Sequence, residues 1–320
     1  MIPPPTMRLS VILCTYHPDA GRLRRTLAGL CAQTFPPAQW ETLVIDNAPS
    51  PLLSVDTLPG PAPTHLRLLH EPSSGLTFAR RCGLNAAHPD SEFCLFVDDD
   101  NVLAPDYLAR VVAHFDAHRQ LGGIGGKSLP EFEQPPAPWW CAEFDGLLAC
   151  RDLGSAPLFA ADSRDPANGR RRYPHCAPVG AGMALRREAV RVWLDQPSTL
   201  TDRRANELTS GGDNDIVFTV LRAGWQVAYF PDLVLTHLIP AARVQRDYLA
   251  RLDRAVAKSW IHVLQKHDAN PWPPIARWTV PLRRFKAWFT YRAWTGPAAY
   301  IRWQGACGHF EGRATIAKAR

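Results

Sequence analysis

Runs of apolar residues alternate with helix-spaced apolar stripes over the first 120 positions. Residues 9–15 form an apolar run typical of a buried strand, and Leu23, Leu27 and Leu30 follow at helical spacing. The alternation continues with predicted strands at 42–45, 66–69 and 93–97 and predicted helices at 75–87 and from Pro105, at the first helical position, through Phe115. This order predicts a doubly wound, mostly parallel α/β sheet.

The pattern is different in the middle of the chain. Residues 134–140 are rich in proline and tryptophan, and residues 152–174 are polar and rich in turn formers, so both read as loops over a site. A short strand or bend is predicted at 179–185, a helix at 213–223, and two strands at 225–230 and 233–236. The loops are therefore not interpreted as a linker between two domains.

Three consecutive carboxylates, Asp98, Asp99 and Asp100, follow the apolar run 93–97. Like charges this close raise one another's pKa, and a divalent metal relieves the repulsion. Oxygen ligands at a strand end suit Mg²⁺ or Mn²⁺ holding a diphosphate, whereas a solvated acidic turn or a pair of helix caps is the alternative. Ligands of open α/β sheets lie across the carboxyl ends of the strands, where Thr15 and Asp46 also fall.

Six short motifs follow one another over residues 8–240: SVILCTY at 10–16, VIDN at 44–47, GLTFAR at 75–80, FVDDD at 96–100, GAGM at 180–183 and GDND at 212–215. In this order and spacing the chain resembles the inverting nucleotide-sugar glycosyltransferases of family 2. The resemblance implies a GT-A, Rossmann-like fold: a mostly parallel sheet with helices on both faces, followed here by a C-terminal helical extension. We expect a glycosyltransferase domain at 1–240, with a nucleotide-sugar-binding half at 8–125 and an acceptor and catalytic half at 126–240. Residues 241–320 would form a separate tail.

The resemblance also implies roles for residues of the donor site. Asp100 is expected to be the main metal ligand, with Asp98 and Asp99 near the ribose and metal-bound water. The remaining donor-site residues are Thr15, Asp46 and Asn47 in the nucleoside pocket and Arg80 at the diphosphate. Ordinary strand, turn and ion-pair roles are the alternatives, and Arg81 replaces the asparagine that usually follows Arg80 in the family.

An inverting transfer needs a base opposite the leaving group, and Asp213 matches the family's base position. Gly212 stands where a glutamate often precedes that aspartate, and an N-cap of the following helix is the alternative role for Asp213. His237 matches a metal-binding histidine of some GT-A enzymes, although a lone histidine beside an apolar strand is often structural.

The expected acceptor contacts are four residues: Trp139, Trp140, Gly182 and Met183. The two indoles are flat surfaces suited to sugar rings, and core packing is their competing role.

Charge is distributed unevenly along the chain. Residues 1–240 contain 21 basic and 26 acidic residues, a net charge of −5, whereas residues 241–320 contain 15 basic and 4 acidic residues, a net charge of +11. The same tail holds six of the eleven tryptophans. Basic residues mixed with tryptophan suit an anionic membrane surface, which we expect as a partner. Single-stranded nucleic acid would suit a similar mixture, but no nucleic-acid partner is expected; a helical cap with buried tryptophans is the other alternative.

The eight cysteines contain no C-x-x-C pair and lie in apolar patterns, so neither zinc nor disulfides are expected. Apolar and charged fractions of 46% and 21% are those of a globular protein. No stretch approaches the roughly 18 apolar residues of a membrane span. We therefore expect a cytoplasmic protein, with attachment of the tail to the inner face of the cell membrane.

These observations predict non-processive transfer of one sugar from an NDP-sugar to a lipid-linked or polysaccharide acceptor. The family's processive members carry a Q-x-x-R-W motif and membrane spans, and this sequence has neither. A metal-dependent nucleotidyltransferase is the competing enzyme class, but it would need a basic loop after the first strand, which residues 17–21 do not supply. A non-catalytic sugar-nucleotide-binding or nucleic-acid-binding protein is the other alternative, and the joint presence of Asp100 and Asp213 argues against it.

Overall fold

Strands and helices alternate through the part of the chain that this computed structural model describes, residues 7–197, 200, 202–203 and 208–316. The strands in this part are β1 (Leu9–Thr15), β2 (Trp40–Asp46), β3 (Leu66–His70), β4 (Phe93–Asp98), β5 (Asn101–Leu103), β6 (Leu121–Phe132), β7 (Leu158–Ala160), β8 (Ala184–Arg186) and β9 (Gln226–Ile239). The helices are α1 (Ala20–Cys31), α2 (Leu76–Ala86), α3 (Tyr107–Ala117), α4 (Glu143–Leu147), α5 (Arg187–Leu194), α6 (Gly212–Arg222), α7 (Arg246–Lys266), α8 (Val280–Thr290) and α9 (Pro297–Thr315).

All nine strands join one sheet. Its order is β3-β2-β1-β4-β8-β6-β9-β5, and β7 pairs with the first part of β9. Strands β3, β2, β1 and β4 run parallel, and the short strand β8 joins β4 to β6 through antiparallel pairs. The half that carries the carboxyl-end residues is therefore parallel, as predicted, whereas the second half is mixed.

Strand β1 is buried along its whole length because helices cover both faces of the sheet. Leu9, Val11 and Leu13 pack in the core that α1 and α3 cover, while Ile12 and Cys14 pack in the core beneath α2 and α6. Alternate residues of a strand point to opposite faces, so one uninterrupted apolar run supplies both cores. The helices on both faces confirm the predicted α/β architecture.

Two predicted boundaries were wrong. Helix α3 begins at Tyr107 rather than at Pro105, because the Tyr107 amide donates to the Ala104 carbonyl oxygen in a turn that precedes the helix. The predicted strands 225–230 and 233–236 form the single strand β9, which continues through Pro231 and Asp232. Its pairing with β6 shifts register between Gly125 and Lys127, so the strand bends there without ending.

The last three helices form the predicted C-terminal helical extension. Helix α9 lies along α7 through three glycines, Gly305, Gly308 and Gly312, which are spaced at one helical turn. A methyl group at Gly308 would overlap the backbone carbonyl oxygen of Arg254 in α7, so only glycine permits this close approach. Among the described residues, no helix is both long enough and apolar enough to cross a membrane.

Candidate functional site

A cleft of about 390 Å³ opens at the carboxyl ends of the parallel strands, where the strand pattern predicted a ligand site. Residues that line it include Thr15, Asn47, Asp98, Asp99, Asp100, Arg203, His237, Arg243 and Tyr248. A larger cavity, of about 720 Å³, lies at the opposite ends of the strands beside Glu92 and Arg187 and contains none of the predicted residues. The chemistry predicted from the sequence therefore belongs to the smaller cleft.

Asp100 is the most strongly contacted carboxylate of the cleft. Its side chain is buried; Oδ1 accepts from the Asn101 side-chain amide at 3.0 Å and lies 3.3 Å from His237 Nε2, while Oδ2 accepts from Arg243 Nη1 at 2.9 Å. Burial would raise the pKa of Asp100, but its contacts with His237 and with the Arg243 guanidinium lower it to about 2. Asp100 is consequently ionised at neutral pH.

The pair formed by Asp100 and His237 fits a divalent cation. Two ligand bonds of about 2.1 Å at a right angle separate their donor atoms by about 3.0 Å, close to the 3.3 Å between Asp100 Oδ1 and His237 Nε2. The two residues are held together by backbone pairing, because Asn101 of β5 lies opposite His237 of β9. Within the described part of the chain no group of three or more such ligands occurs, so a cation here would complete its shell with water and phosphate oxygens, as Mg²⁺ commonly does.

Asp98 and Asp99 are held in higher-pKa environments than Asp100. Asp99 Oδ2 accepts from Thr15 Oγ1 at 2.5 Å, which joins the ends of β1 and β4. Burial and the neighbouring Asp100 charge raise the pKa of Asp99 to about 7. Burial also raises the pKa of Asp98, although Arg80 opposes the shift. A cation in the cleft would stabilise the ionised forms of both side chains.

Arg80 is a buried cation among carboxylates. Its guanidinium lies 4.9 Å from the centre of the Phe96 ring, and its Nε has no hydrogen-bond partner among the described residues. Burial would lower the pKa of Arg80, but the charges of Asp98, Asp213 and Asp202 raise it. Arg80 therefore interacts electrostatically with Asp98 at the strand end and with Asp202 and Asp213 near the start of α6. Its contact with a diphosphate stays a prediction.

Asp46 and Asn47 shape loops beside the cleft. The Asp46 carboxylate accepts from the backbone amides of Ala48, Leu52 and Leu53 at 2.7 to 3.2 Å. Asn47 donates to the carbonyl oxygens of residues 71 and 73 and accepts from the amide of residue 75. Asn47 lines the cleft and the buried Asp46 lies one residue away, and their contacts with a nucleoside stay a prediction.

Asp213 lies in the first turn of α6, where Gly211 precedes the helix at φ +117°. Asp213 Oδ2 accepts from the Gly180 amide at 3.0 Å, and Oδ1 accepts from the Asn214 amide at 2.9 Å. A carboxylate has about four acceptor positions, so each oxygen retains one for a substrate proton. Its neighbours Gly211 and Asn214, although not Asp213 itself, line a further cavity of about 280 Å³ together with Tyr173 and Trp260.

Asp215, two residues further along α6, is fully engaged in the fold. Its oxygens contact His267 Nε2 at 2.7 Å, Lys266 Nζ at 2.7 Å and Trp193 Nε1 at 2.9 Å. Burial would raise the pKa of Asp215, but the hydrogen bonds from His267 and Lys266 hold it below its usual range. Asp215 joins α5, α6 and the end of α7, and it has no free acceptor position facing a cavity.

One of the four predicted acceptor contacts is wrong, and the other three residues pack against neighbouring side chains. Met183 is completely buried, so it packs in the core and offers no surface to an acceptor. Gly182, at φ +72°, is covered by Tyr107, whose hydroxyl donates to the Gly182 carbonyl oxygen at 2.7 Å. Trp139 and Trp140 are half-buried against Phe144, and Trp140 Nε1 donates to Asp145 at 3.0 Å. Their role as sugar platforms stays a prediction.

The sequence analysis missed Asp202 and three residues that line the cleft, Arg203, Arg243 and Tyr248. Arg243 pairs with Asp100 across more than 140 positions, just beyond the expected domain boundary at 240. Asp202 accepts from the Gly212 amide at 3.0 Å, and burial together with the Asp213 charge raises its pKa to about 6. A single basic residue shortly after His237 was the only available signal for Arg243, and Asp202 lies in a polar segment without any pattern.

Comparisons with known proteins identify the family of the chain. The family model described as "Glycosyltransferase like family 2" matches residues 4–257. The succinoglycan biosynthesis protein ExoM of Rhizobium meliloti is 32% identical over 258 residues, 78% of this chain and 73% of ExoM. ExoW of the same organism, also a succinoglycan biosynthesis protein, is 34% identical over 125 residues, 37% of this chain and 38% of ExoW, so the match spans less than half of that relative.

Among solved structures, S. aureus TarS residues 1–349 in complex with UDP-GlcNAc shares the fold, with a TM-score of 0.51 and 15% sequence identity over 95% of this chain and 90% of that chain. The predicted resemblance and the predicted fold class are both confirmed. Because the family model extends over more than half of the sequence and ExoM matches over most of both chains, this protein belongs to glycosyltransferase family 2.

Proposed function

We propose that this protein transfers a single sugar from a nucleoside diphosphate sugar to a polysaccharide or lipid-linked acceptor, with inversion at the anomeric carbon. The observation that carries the proposal is the placement of ionised Asp100 beside His237 in the strand-end cleft. The carboxylate of Asp213 at the start of α6 also supports the proposal. Both Asp213 and Asp98 interact electrostatically with the buried cation Arg80, so Asp213 belongs to the same group of charges as the strand-end carboxylates. Family membership supports the reaction class.

The donor would bind in the 390 Å³ cleft, with its nucleoside toward Thr15 and Asn47 and its diphosphate toward Asp98, Asp99 and Asp100. Asp100 and His237 would hold Mg²⁺ or Mn²⁺, which supplies charge neutralisation for the departing diphosphate. Arg243 also lines this cleft, so a guanidinium is available to the phosphates as well.

Asp213 would remove the proton of the acceptor hydroxyl. Hydrogen bonds from the Gly180 and Asn214 amides fix the carboxylate, and one acceptor position on each oxygen stays free. The adjoining 280 Å³ cavity, with Tyr173 and Trp260 in its wall, offers aromatic surface to the acceptor. Asp215 is unsuited to this role because His267, Lys266 and Trp193 occupy its oxygens.

The proposal is tested with the full chain and a panel of UDP-, GDP- and dTDP-sugars in Mn²⁺, with products followed by mass spectrometry and binding followed by calorimetry. Removing a positioned base costs about 10²- to 10⁴-fold in rate while ground-state binding persists. Asp213→Asn should therefore bind the donor like the wild type and turn over about 10²- to 10⁴-fold more slowly. Asp100→Ala should weaken nucleotide binding and make the remainder insensitive to EDTA.

Asp106→Asn serves as the matched control, since Asp106 is an aspartate that pairs with Arg110 on the surface, away from the cleft. It should leave both binding and turnover unchanged. A wild-type protein that binds no nucleoside diphosphate, with or without metal, would overturn the proposal. Near-normal turnover by Asp213→Asn would overturn the assignment of the base alone.

A further inference from the structure

Helix α8 and its flanking turns expose a stripe of large apolar side chains. Trp278, Leu282, Phe285 and Phe289 follow one another at spacings of four, three and four residues, which places them on one side of a helix. Their exposed fractions are 75%, 64%, 67% and 53%, and Trp294, just beyond the helix, is 54% exposed. We call these five residues the α8 stripe.

The opposite side of α8 is already occupied. Ala287 is buried and Trp288 packs edge-on against Trp303 of α9, with ring centres 4.8 Å apart. Trp303 Nε1 also donates to the Arg284 carbonyl oxygen at 3.0 Å. The α8 stripe is therefore not the helix's packing face, and its exposure leaves a contiguous apolar surface of the kind that marks an interaction site.

The chain segment that carries the stripe is basic, although Glu311 of α9 lies 3.9 Å from Arg284 Nη1 of α8. From residue 269 to residue 310 the sequence contains six basic residues and no acidic residue. Arg277, Arg283, Lys286 and Arg292 among them are exposed beside the stripe. An aromatic and aliphatic face flanked by lysine and arginine is typical of helices that lie in the surface of an anionic bilayer.

A groove between α8 and α9 adds depth to this surface. It has a volume of about 420 Å³ and is lined by Pro281, Phe285, Trp288, Phe289, Trp303 and Arg284. Five of these side chains are apolar or aromatic, and one is a cation. This combination suits a hydrocarbon chain beside a phosphate.

We infer that the α8 stripe docks on an anionic lipid bilayer, with Trp278 and Trp294 at headgroup depth and the phenylalanines inserted toward the acyl chains. An acidic protein partner fits less well, because the most exposed groups are large apolar side chains and not the cations alone. The inference assigns the membrane contact to α8 and not to the tail as a whole. It requires no sugar transfer, so it stands or fails separately from the proposed function.

The test is co-sedimentation of the full chain with sucrose-loaded vesicles of phosphatidylcholine, either alone or with 30% phosphatidylglycerol. Wild-type protein should bind the anionic vesicles at 50 mM NaCl and lose at least tenfold in partition coefficient at 500 mM, because salt screens charges beyond a few ångströms. The variant Trp278→Ser, Phe285→Ser, Phe289→Ser should lose at least tenfold at low salt. Arg283→Gln with Lys286→Gln should lose about 25-fold, since each basic residue near the surface contributes about fivefold.

One control variant changes an apolar and a basic residue elsewhere on the surface. Val55 is 57% exposed and Arg24 is exposed, so Val55→Ser with Arg24→Gln removes one apolar and one basic side chain far from α8 in sequence. This variant should bind vesicles like the wild type. Circular dichroism verifies that every variant is folded.

Three results would overturn the inference: no binding to anionic vesicles, equal binding to neutral vesicles, or vesicle binding that the α8 variants leave unchanged. Light scattering after size exclusion supplies a fourth. If the wild type forms a dimer without lipid, and the Trp278, Phe285 and Phe289 variant is monomeric, the stripe is a contact between copies of this chain instead.

Discussion

The charge of Asp100 is shared among three groups before any donor arrives. Asn101 and His237 lie at one carboxylate oxygen and Arg243 at the other, so a guanidinium stands where the positive charge of a metal would also be favourable. Arg243 is 36% exposed at its side chain, which leaves it a path toward solvent. At the scale of single residues, Asp100 therefore has the Arg243 guanidinium as its cationic partner in the free protein, and a metal ion would compete for the same carboxylate.

This arrangement predicts that Arg243 competes with metal. In Arg243→Gln, Asp100 keeps its charge and loses a cationic neighbour, so the protein without donor should bind Mn²⁺ on the order of tenfold more tightly than the wild type. Arg246→Gln is the control, because Arg246 is a half-exposed arginine of the next turn that pairs with Asp247. Mn²⁺ binding is followed by electron paramagnetic resonance of the free ion; equal affinities in the wild type and Arg243→Gln would contradict the prediction.

At the scale of elements, the contact between α7 and α9 depends on the absence of side chains. Gly308→Ala should lower the free energy of unfolding by about 1–3 kcal/mol, the usual cost of forcing extra atoms into a packed contact. Nothing lies within 4 Å of the position that a methyl group would take at Gly146 in α4. Gly146→Ala should leave stability unchanged or slightly raised, and urea denaturation of both variants provides the comparison.

The ion-paired cluster around Asp215 joins three helices. Asp215→Asn leaves Lys266 without its buried anion, so unfolding at pH 7 should become easier by about 3–5 kcal/mol. Because folding depresses the pKa of Asp215, the unfolded state binds more protons in acid. The stabilisation is complete above the unfolded pKa of about 3.9 and is lost as the pH falls below it.

The difference between wild type and Asp215→Asn should therefore stay constant above about pH 4 and shrink as the pH falls further in urea titrations. Asp116→Asn is a suitable reference, because Asp116 pairs with Arg8 on the surface and exposed pairs contribute roughly 0–1 kcal/mol. A difference that stays constant with pH would assign the effect of Asp215→Asn to altered packing.

At the scale of the whole molecule, the fold was largely predictable because each parallel strand is a single apolar run and each covering helix has a regular apolar stripe. The same regularity placed Thr15 and the three carboxylates at one edge of the sheet, where the structure has them. Contacts made by long polar side chains were not predictable, since Arg243 at Asp100 and Lys266 at Asp215 come from distant segments with no pattern of their own. Met183 was misplaced for the related reason that a motif does not reveal which way its side chains point.

The segment from Arg243 to His267 is fixed to the sheet domain at both of its ends. Helix α7 is 21 residues long, about 31 Å, and its two ends are tied to carboxylates in different halves of the sheet domain: Arg243 leads into it from Asp100, and Lys266 and His267 close it at Asp215. Because the helix is fixed at both ends, we expect the regions that it contacts to unfold together. We therefore expect one cooperative unfolding transition, with coincident midpoints for tryptophan fluorescence and far-ultraviolet circular dichroism. Two separate midpoints would mean that the helical extension and the sheet domain are independent folding units.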